Sequence, residues 1–356
     1  MAIRVGLGLS AVVGIVLASL AGCAAQSQPA DKGGPSAAPG AVAPPAAAGL
    51  LRVIKTVPAG TDGWDYVTVD SAARRVYVAR ASRVEVFDAD SGALVGSVPG
   101  VNGAHGVALL PDHNVGFATA GKDGTVIQFD SKTLEKGATI KAGNKPDAIL
   151  YDPASKCVFA FNHGSGDVTV VTPVKTTDLT TTIPVGGTLE FGVADGTGRV
   201  YVNVEDKSEV AVIDSKQMKV VARWPVAPGE EPTGLAMDVA HRRLFVGCGN
   251  NKMVVLDADS GKQLAVLPIG AGVDGVAFDP TLNLAMSANG KDGTLTAVRE
   301  VSPGKFAVVQ TLTTAKTART IAVDPKTGTV YLPCLVPGRN NMPTFGLLLV
   351  GPGNAK

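Results

Sequence analysis

One short pattern is repeated seven times from residue 66 almost to the end of the chain, and this constrains the fold more than any other feature. The copies begin at Tyr66, Gly106, Ala148, Gly192, Gly234, Gly275 and Thr320, at intervals of 40, 42, 44, 42, 41 and 45 residues. Each holds an alternating apolar run with an acidic or proline turn, a second run such as RVYV, a polar turn, a third run ending in Asp, and a fourth run. Four short strands at this period make a propeller blade, a unit that buries its faces only by stacking on its neighbours around an axis. Alternation such as Val76 with Val78, or Val84 with Val86, turns one face of each strand into the space between adjoining blades. KDG at 122–124 and 291–293 predicts hairpins between second and third strands. DADSG at 88–92 and 257–261 fails the EF-hand test, with Gly at the fifth position and Pro99 or Pro268 at the twelfth, so both copies read as hairpin turns.

The seventh copy supplies three strands and stops. Its missing fourth is matched by Arg52–Pro58, RVIKTVP, which resembles the fourth runs at 93–100 and 263–270. The expected fold is therefore all-β, a seven-bladed propeller with four-stranded blades over residues 50–352. An N-terminal strand completes the last blade and leaves no open sheet edge. Six blades is the alternative, should the irregular third copy, VTVVTPVKTTDLTT, not form a full blade. The chain is read as a monomer.

GRVYVNVED (198–206), RRVYVARAS (74–82), GNKPDAILYDP (143–153) and ARTIAVDPKTGTVYLP (318–333) resemble the YVTN-repeat propeller family, which includes YncE-like exported bacterial proteins. The resemblance covers residues 50–352 and implies the same seven-bladed architecture. Most members have no established reaction. Some are reported to bind single-stranded DNA, and related propellers include metal-dependent lactonases.

The N-terminus reads as an export signal over residues 1–22: a short head with Arg4, an apolar run from 5 to 20, then LAGC ending at Cys23. LAGC resembles the bacterial lipobox, which makes Cys23 the lipidated residue. Ala24 after it favours the outer membrane or the cell surface, so contact with the membrane is expected through this lipid alone. Residues 23–49 are almost wholly Ala, Gly, Pro and Ser, a composition that cannot bury a core and reads as a tether. Residues 353–356 form a short tail.

Lys and Arg number 32 and Asp and Glu 31, so no global field draws the chain to nucleic acid or membrane. Aromatics at 5 % leave stacking platforms for single-stranded nucleic acid local at best. No Ser/His/Asp motif, phosphate-binding glycine loop or haem motif is present, so a binding or interaction module is expected ahead of an enzyme. Blade-joining loops and second-to-third-strand loops share one end of the channel, where a ligand is expected. Arg80, Arg319 and Arg339 belong to blades 1 and 7 and predict an anionic ligand, with Trp64, His105 and Phe191 as stacking or hydrogen-bonding companions. Asp65, Asp147, Glu190 and Asp274 precede first strands and can converge as ligands for a divalent cation, which a lactonase-like hydrolase would need. Cys248 and Cys334, a blade apart, are expected to be inert thiols.

Overall fold

The computed structural model describes residues 50–110, 113–173, 179–338, 340 and 342–353. The export signal, Cys23, the tether, Arg339 and residues 354–356 lie outside them. Twenty-eight strands, β1 to β28 in chain order, form seven four-stranded antiparallel sheets among the described residues. Blade 1 is typical: β2 (Trp64–Asp70), β3 (Arg75–Arg80), β4 (Arg83–Asp88) and β5 (Leu94–Pro99), paired in that order. The innermost strands of blades 2 to 7 are β6 (Ala104–Leu110), β10 (Pro146–Asp152), β14 (Leu189–Ala194), β18 (Pro232–Asp238), β22 (Val273–Asp279) and β26 (Ala322–Asp324).

Blade 3 is complete. β10 pairs with β11 (Cys157–Asn162), β11 with β12 (Asp167–Thr172), and β12 with β13 (Leu179–Pro184), so the irregular copy still makes a blade and the count is seven. Blade 7 joins both ends of the chain. β1 (Leu51–Pro58) runs antiparallel to β28 (Pro343–Pro352), from Leu51 opposite Pro352 to Pro58 opposite Gly346. Gln310, in the outermost strand of blade 6, exchanges 2.8 Å hydrogen bonds with both backbone groups of Leu51 and fixes this register from outside.

The repeat residues explain how blades are joined. The tyrosine of each VYV or VYL run is buried and reaches into the next blade. Tyr77 donates to Ser131 O at 3.1 Å, Tyr201 to Ala258 O at 2.8 Å, and Tyr331 to Ala89 O at 2.8 Å. Ala89 and Ala258 lie in the two DADSG turns, where Asp88 and Asp257 accept the amides of Ser91 and Ser260. Gly261 closes the second turn at φ +71°, and a Cβ there would meet the Trp224 ring at 2.3 Å, so only glycine fits. Between blades 1 and 7, Val76, Val78, Phe87, Tyr331, Phe345 and Leu347 form one apolar layer. Each such fully buried large side chain contributes about 1.5–3 kcal/mol.

Arg80 belongs to this layer. Its guanidinium is fully buried, ion-paired with Glu85, 3.6 Å from the Phe345 ring centroid, and bonded to the carbonyls of Asp62 and Gly63 at 2.9 and 3.0 Å. Arg80 is expected from its place in the sequence to serve a ligand; in the structure its charge and its donors join blade 1 to blade 7, at the edge of a cleft. Cys157, Cys248 and Cys334 are buried free thiols, and burial pushes Cys248 and Cys334 up to about 12.

Candidate functional site

Each innermost strand ends at or beside a residue that opens the turn to the second strand: Asp70, Leu110, Asp152, Asp195, Asp238, Asp279 and Asp324. Five positions earlier, at the other end of the channel, stand Asp65, His105, Asp147, Glu190, Thr233, Asp274 and Arg319. Strand pairing shows that these places are equivalent. In blades 1 to 6 the preceding residue pairs with the last residue of the second strand, as Pro146 does with Asn162 and Leu189 with Val204. The register then shifts in all six, a bulge that turns these side chains out of the ladder and toward the axis. One ring of side chains therefore surrounds the channel mouth, and four of the seven are acidic.

The ring residues of blades 1 to 4 make a continuous chain of contacts. His105 Nδ1 donates to Asp65 Oδ2 and lies 3.5 Å from Asp147 Oδ1. The other Asp147 oxygen, Oδ2, is 4.0 Å from Nδ1 of His163, which stands in the loop between β11 and β12. The same Nδ1 is 2.9 Å from Glu190 Oε1 but off the line of an N–H···O bond, so it is buried and makes no hydrogen bond. Tyr66, beside Asp65, donates from its hydroxyl to Glu190 Oε2 at 3.3 Å and packs edge-on against Phe191, with ring centroids 5.3 Å apart. Blades 1 and 4 thus meet beneath the mouth through these two rings.

Burial and charge give these groups unusual proton affinities. Asp147 is only 6 % exposed and its carboxylate accepts no hydrogen bond among the described residues; burial raises it to about 6, against the pull of His105. Burial likewise raises Asp274 to about 7, opposed by Arg319. For His105, burial favours the neutral ring, but the bond to Asp65 and the charge of Asp147 outweigh it, and its pKa moves up. Glu190 raises His163. Burial and the charge of Glu190 raise Glu205, in the second-to-third-strand loop of blade 4. Tyr66 is held well above its usual range by burial and four surrounding carboxylates.

The predicted acidic candidates Asp65, Asp147, Glu190 and Asp274 all face this mouth, three of them within the histidine chain. Of the predicted arginines, Arg80 and Arg319 line the same cleft, and Arg339 lies outside the described residues. Arg80 is buried as above. Arg319 sits between Asp65 at 3.3 Å and Asp274 at 3.4 Å, contributed by the blades on either side, and its charge is already matched. Trp64 and Arg319 stand between two clefts of about 820 and 460 Å3; the larger also holds Glu231, Lys291 and Lys316, the smaller His105, Lys122 and Lys145. Trp64 packs on Phe345 at 5.5 Å between ring centroids, and Phe191 edge-on against Tyr66. His105, expected as a companion to an anion, is bound to carboxylates instead.

Sequence reasoning missed His163 and Tyr66. His163 has a signal, as a histidine in a second-to-third-strand loop on the ligand end. Tyr66 has one too, as the large residue at a place that holds Gly106, Gly234 and Gly275 in other blades.

Two three-atom sets with the donors of a metal centre result. Asp65, His105 and Asp147 form one, and Asp147, His163 and Glu190 the other, with the ligand atoms of each within 4.8 Å of one another. Atoms bound at about 2.1 Å to one ion stand about 3.0–4.2 Å apart; the spacings of 2.9, 3.5 and 4.0 Å fall at or within that range, whereas His105 and Asp65 of the first set stand closer, in a hydrogen bond.

No family model and no curated protein sequence matches the chain. Solved structures do. Hydrazine synthase from Kuenenia stuttgartiensis is 15 % identical, with a TM-score of 0.66 over 81 % of this chain and 96 % of that one. The RRP9 WD40 repeats are 8 % identical, with a TM-score of 0.72 over 84 % and 97 %. The Cps50 (Swd1) propeller domain of Myceliophteria thermophila is 12 % identical, with a TM-score of 0.69 over 85 % and 99 %. At these identities the likeness is one of fold, and the chain is a seven-bladed β-propeller of four-stranded antiparallel blades.

Proposed function

We propose that the protein is a binding module whose channel mouth takes a divalent transition-metal cation, on a YVTN-type propeller exported and anchored through Cys23. One observation carries the cation reading: Asp147 is buried between two histidines, its two oxygens 3.5 and 4.0 Å from their Nδ1 atoms, and accepts no hydrogen bond among the described residues. A buried carboxylate is destabilised unless positive charge meets it; without metal the two histidines, whose own proton affinity is raised, supply that charge, and their nitrogens are suited to share an ion with Asp147 instead. Mixed imidazole and carboxylate donors favour zinc, manganese, iron or nickel over calcium or magnesium, which take oxygen shells. An anionic ligand fits less well, because the described arginines of blades 1 and 7 are already paired. Export and lipid attachment rest on the sequence of residues 1–23.

On binding, the histidines give up their Nδ1 protons and the carboxylates theirs, so metal uptake releases protons. The test is thermal unfolding of chelator-treated protein with added Zn2+, Mn2+, Ca2+ or Mg2+. Zinc at about 100 times its Kd is expected to raise Tm by roughly 5 °C, and calcium and magnesium to leave it unchanged. No shift with any of the four ions would remove the reading.

A further inference from the structure

We infer that the channel mouth holds two metal ions bridged by Asp147, an inference that rests on the cation reading above. The two donor sets are not alternative descriptions of one site. Asp147 contributes Oδ1 toward His105 and Oδ2 toward His163, so its two oxygens point into different sets. The remaining ligands come from different blades: Asp65 and His105 from blades 1 and 2, His163 and Glu190 from blades 3 and 4. A carboxylate with one oxygen on each of two metals is the arrangement that holds ions about 3.5–4 Å apart.

Two features beyond the clustering of acids point to this. Asp147 is more than nine-tenths buried, accepts no hydrogen bond among the described residues, and sets one oxygen opposite each histidine Nδ1, at 3.5 and 4.0 Å. Nδ1 of His163 is buried and faces Glu190 Oε1 at 2.9 Å, off the line of a straight hydrogen bond. The same N and O are placed to share an ion. Asp65, Asp147, Glu190, Glu205 and Asp274 face the mouth, with Arg319 among them and Lys145 at its exposed edge.

The sets differ in firmness. Glu190 is held by Tyr66, and His163 has no competing bond, whereas filling the first set requires His105 to release Asp65. The second set is therefore filled first.

Native mass spectrometry of the chelator-treated chain titrated with Zn2+, together with electron paramagnetic resonance after loading with Mn2+, reads the stoichiometry and the bridge. Two ions per chain are expected at saturation, with an exchange-coupled manganese spectrum. His105→Ala and His163→Ala should each keep one ion, and Asp147→Ala should weaken both steps. Circular dichroism checks that each variant is folded, and the two histidine variants carry the test if Asp147→Ala does not fold. One ion per chain at saturation would overturn the pair of sites while leaving the cation reading intact. Two ions with an uncoupled spectrum would overturn the Asp147 bridge. No ion would overturn the cation reading itself.

Discussion

The two ends of the innermost strands carry the same residue type in opposite circumstances. At the turn end, Asp195 accepts from the amides of Thr197, Gly198 and Arg199, the hydroxyl of Thr197 and the guanidinium of Arg242. Asp324 accepts from Ser71, Arg74, Thr327 and the amide of Lys326; burial opposes its charge, but these bonds win and hold it down at about 2. Five residues back along the same strands, Glu190 accepts one bond, from Tyr66, and in blade 3 Asp147 accepts none and rises to about 6. Burial alone does not separate them, since Asp152 and Asp324 are more buried than Asp147. Donors do. The turn supplies its own amides, whereas the mouth supplies only other side chains, several of them also acidic. The turn acids stabilise the fold, and the raised proton affinity of Asp147 and Asp274 marks the mouth acids as costly to ionise.

The largest effect is expected from breaking the ring on which both ends depend. Deleting residues 50–58 removes β1, exposes the edge of β28 and frees Gln310, so cooperative unfolding of the whole propeller should be lost in a calorimetric scan. A deletion that melts as the intact chain does would mean that both ends are set within single blades. Next in size is a turn acid. Asp324→Ala removes the acceptor of Ser71, Thr327, the Lys326 amide and one guanidinium nitrogen of Arg74, which keeps Asp90, and should destabilise by about 2–3 kcal/mol in urea unfolding. By contrast Asp147→Asn should leave stability equal or higher in the absence of metal and abolish most of the zinc-induced rise in Tm. Equal destabilisation by the two substitutions would dissolve the contrast.

How much of this the sequence shows follows from the same contrast. Blade number, turn acids and the closing strand are local or periodic properties: RVIKTVP resembles other fourth strands, and Asp with a following Ser or Thr makes its own turn. The acids of the mouth are legible as residues preceding first strands. What they meet is not, because each partner comes from another blade. Arg80 looks like a rim arginine until ring closure sets Phe345 against it, and Arg319 looks free until Asp65 and Asp274 arrive from both sides. His163 is the reverse case, a loop residue brought to the channel only by the placement of blade 3 beside Glu190 of blade 4.

The smallest expected effect is also the sharpest, because it has opposite sign at the two ends. Asp274, raised by burial to about 7, binds its proton more tightly folded than unfolded. Its contribution to stability is therefore unfavourable at pH 8 and fades as pH falls from about 7 toward its unfolded value near 4. Asp324, lowered to about 2 by its hydrogen bonds, contributes stability that is fully present above pH 4 and is lost as pH falls through 2. Asp274→Asn should thus raise Tm slightly at pH 8 and leave it unchanged at pH 4, while the deficit of Asp324→Ala should be full at pH 8 and shrink only below pH 4. Arg319 retains Asp65 in the first variant, so no cation is stranded there. Melting both variants from pH 3 to pH 8 without metal measures the two slopes. A Tm deficit for Asp274→Asn that grows with pH would mean that Arg319 holds Asp274 as a structural ion pair, and that the mouth and the turns are built alike.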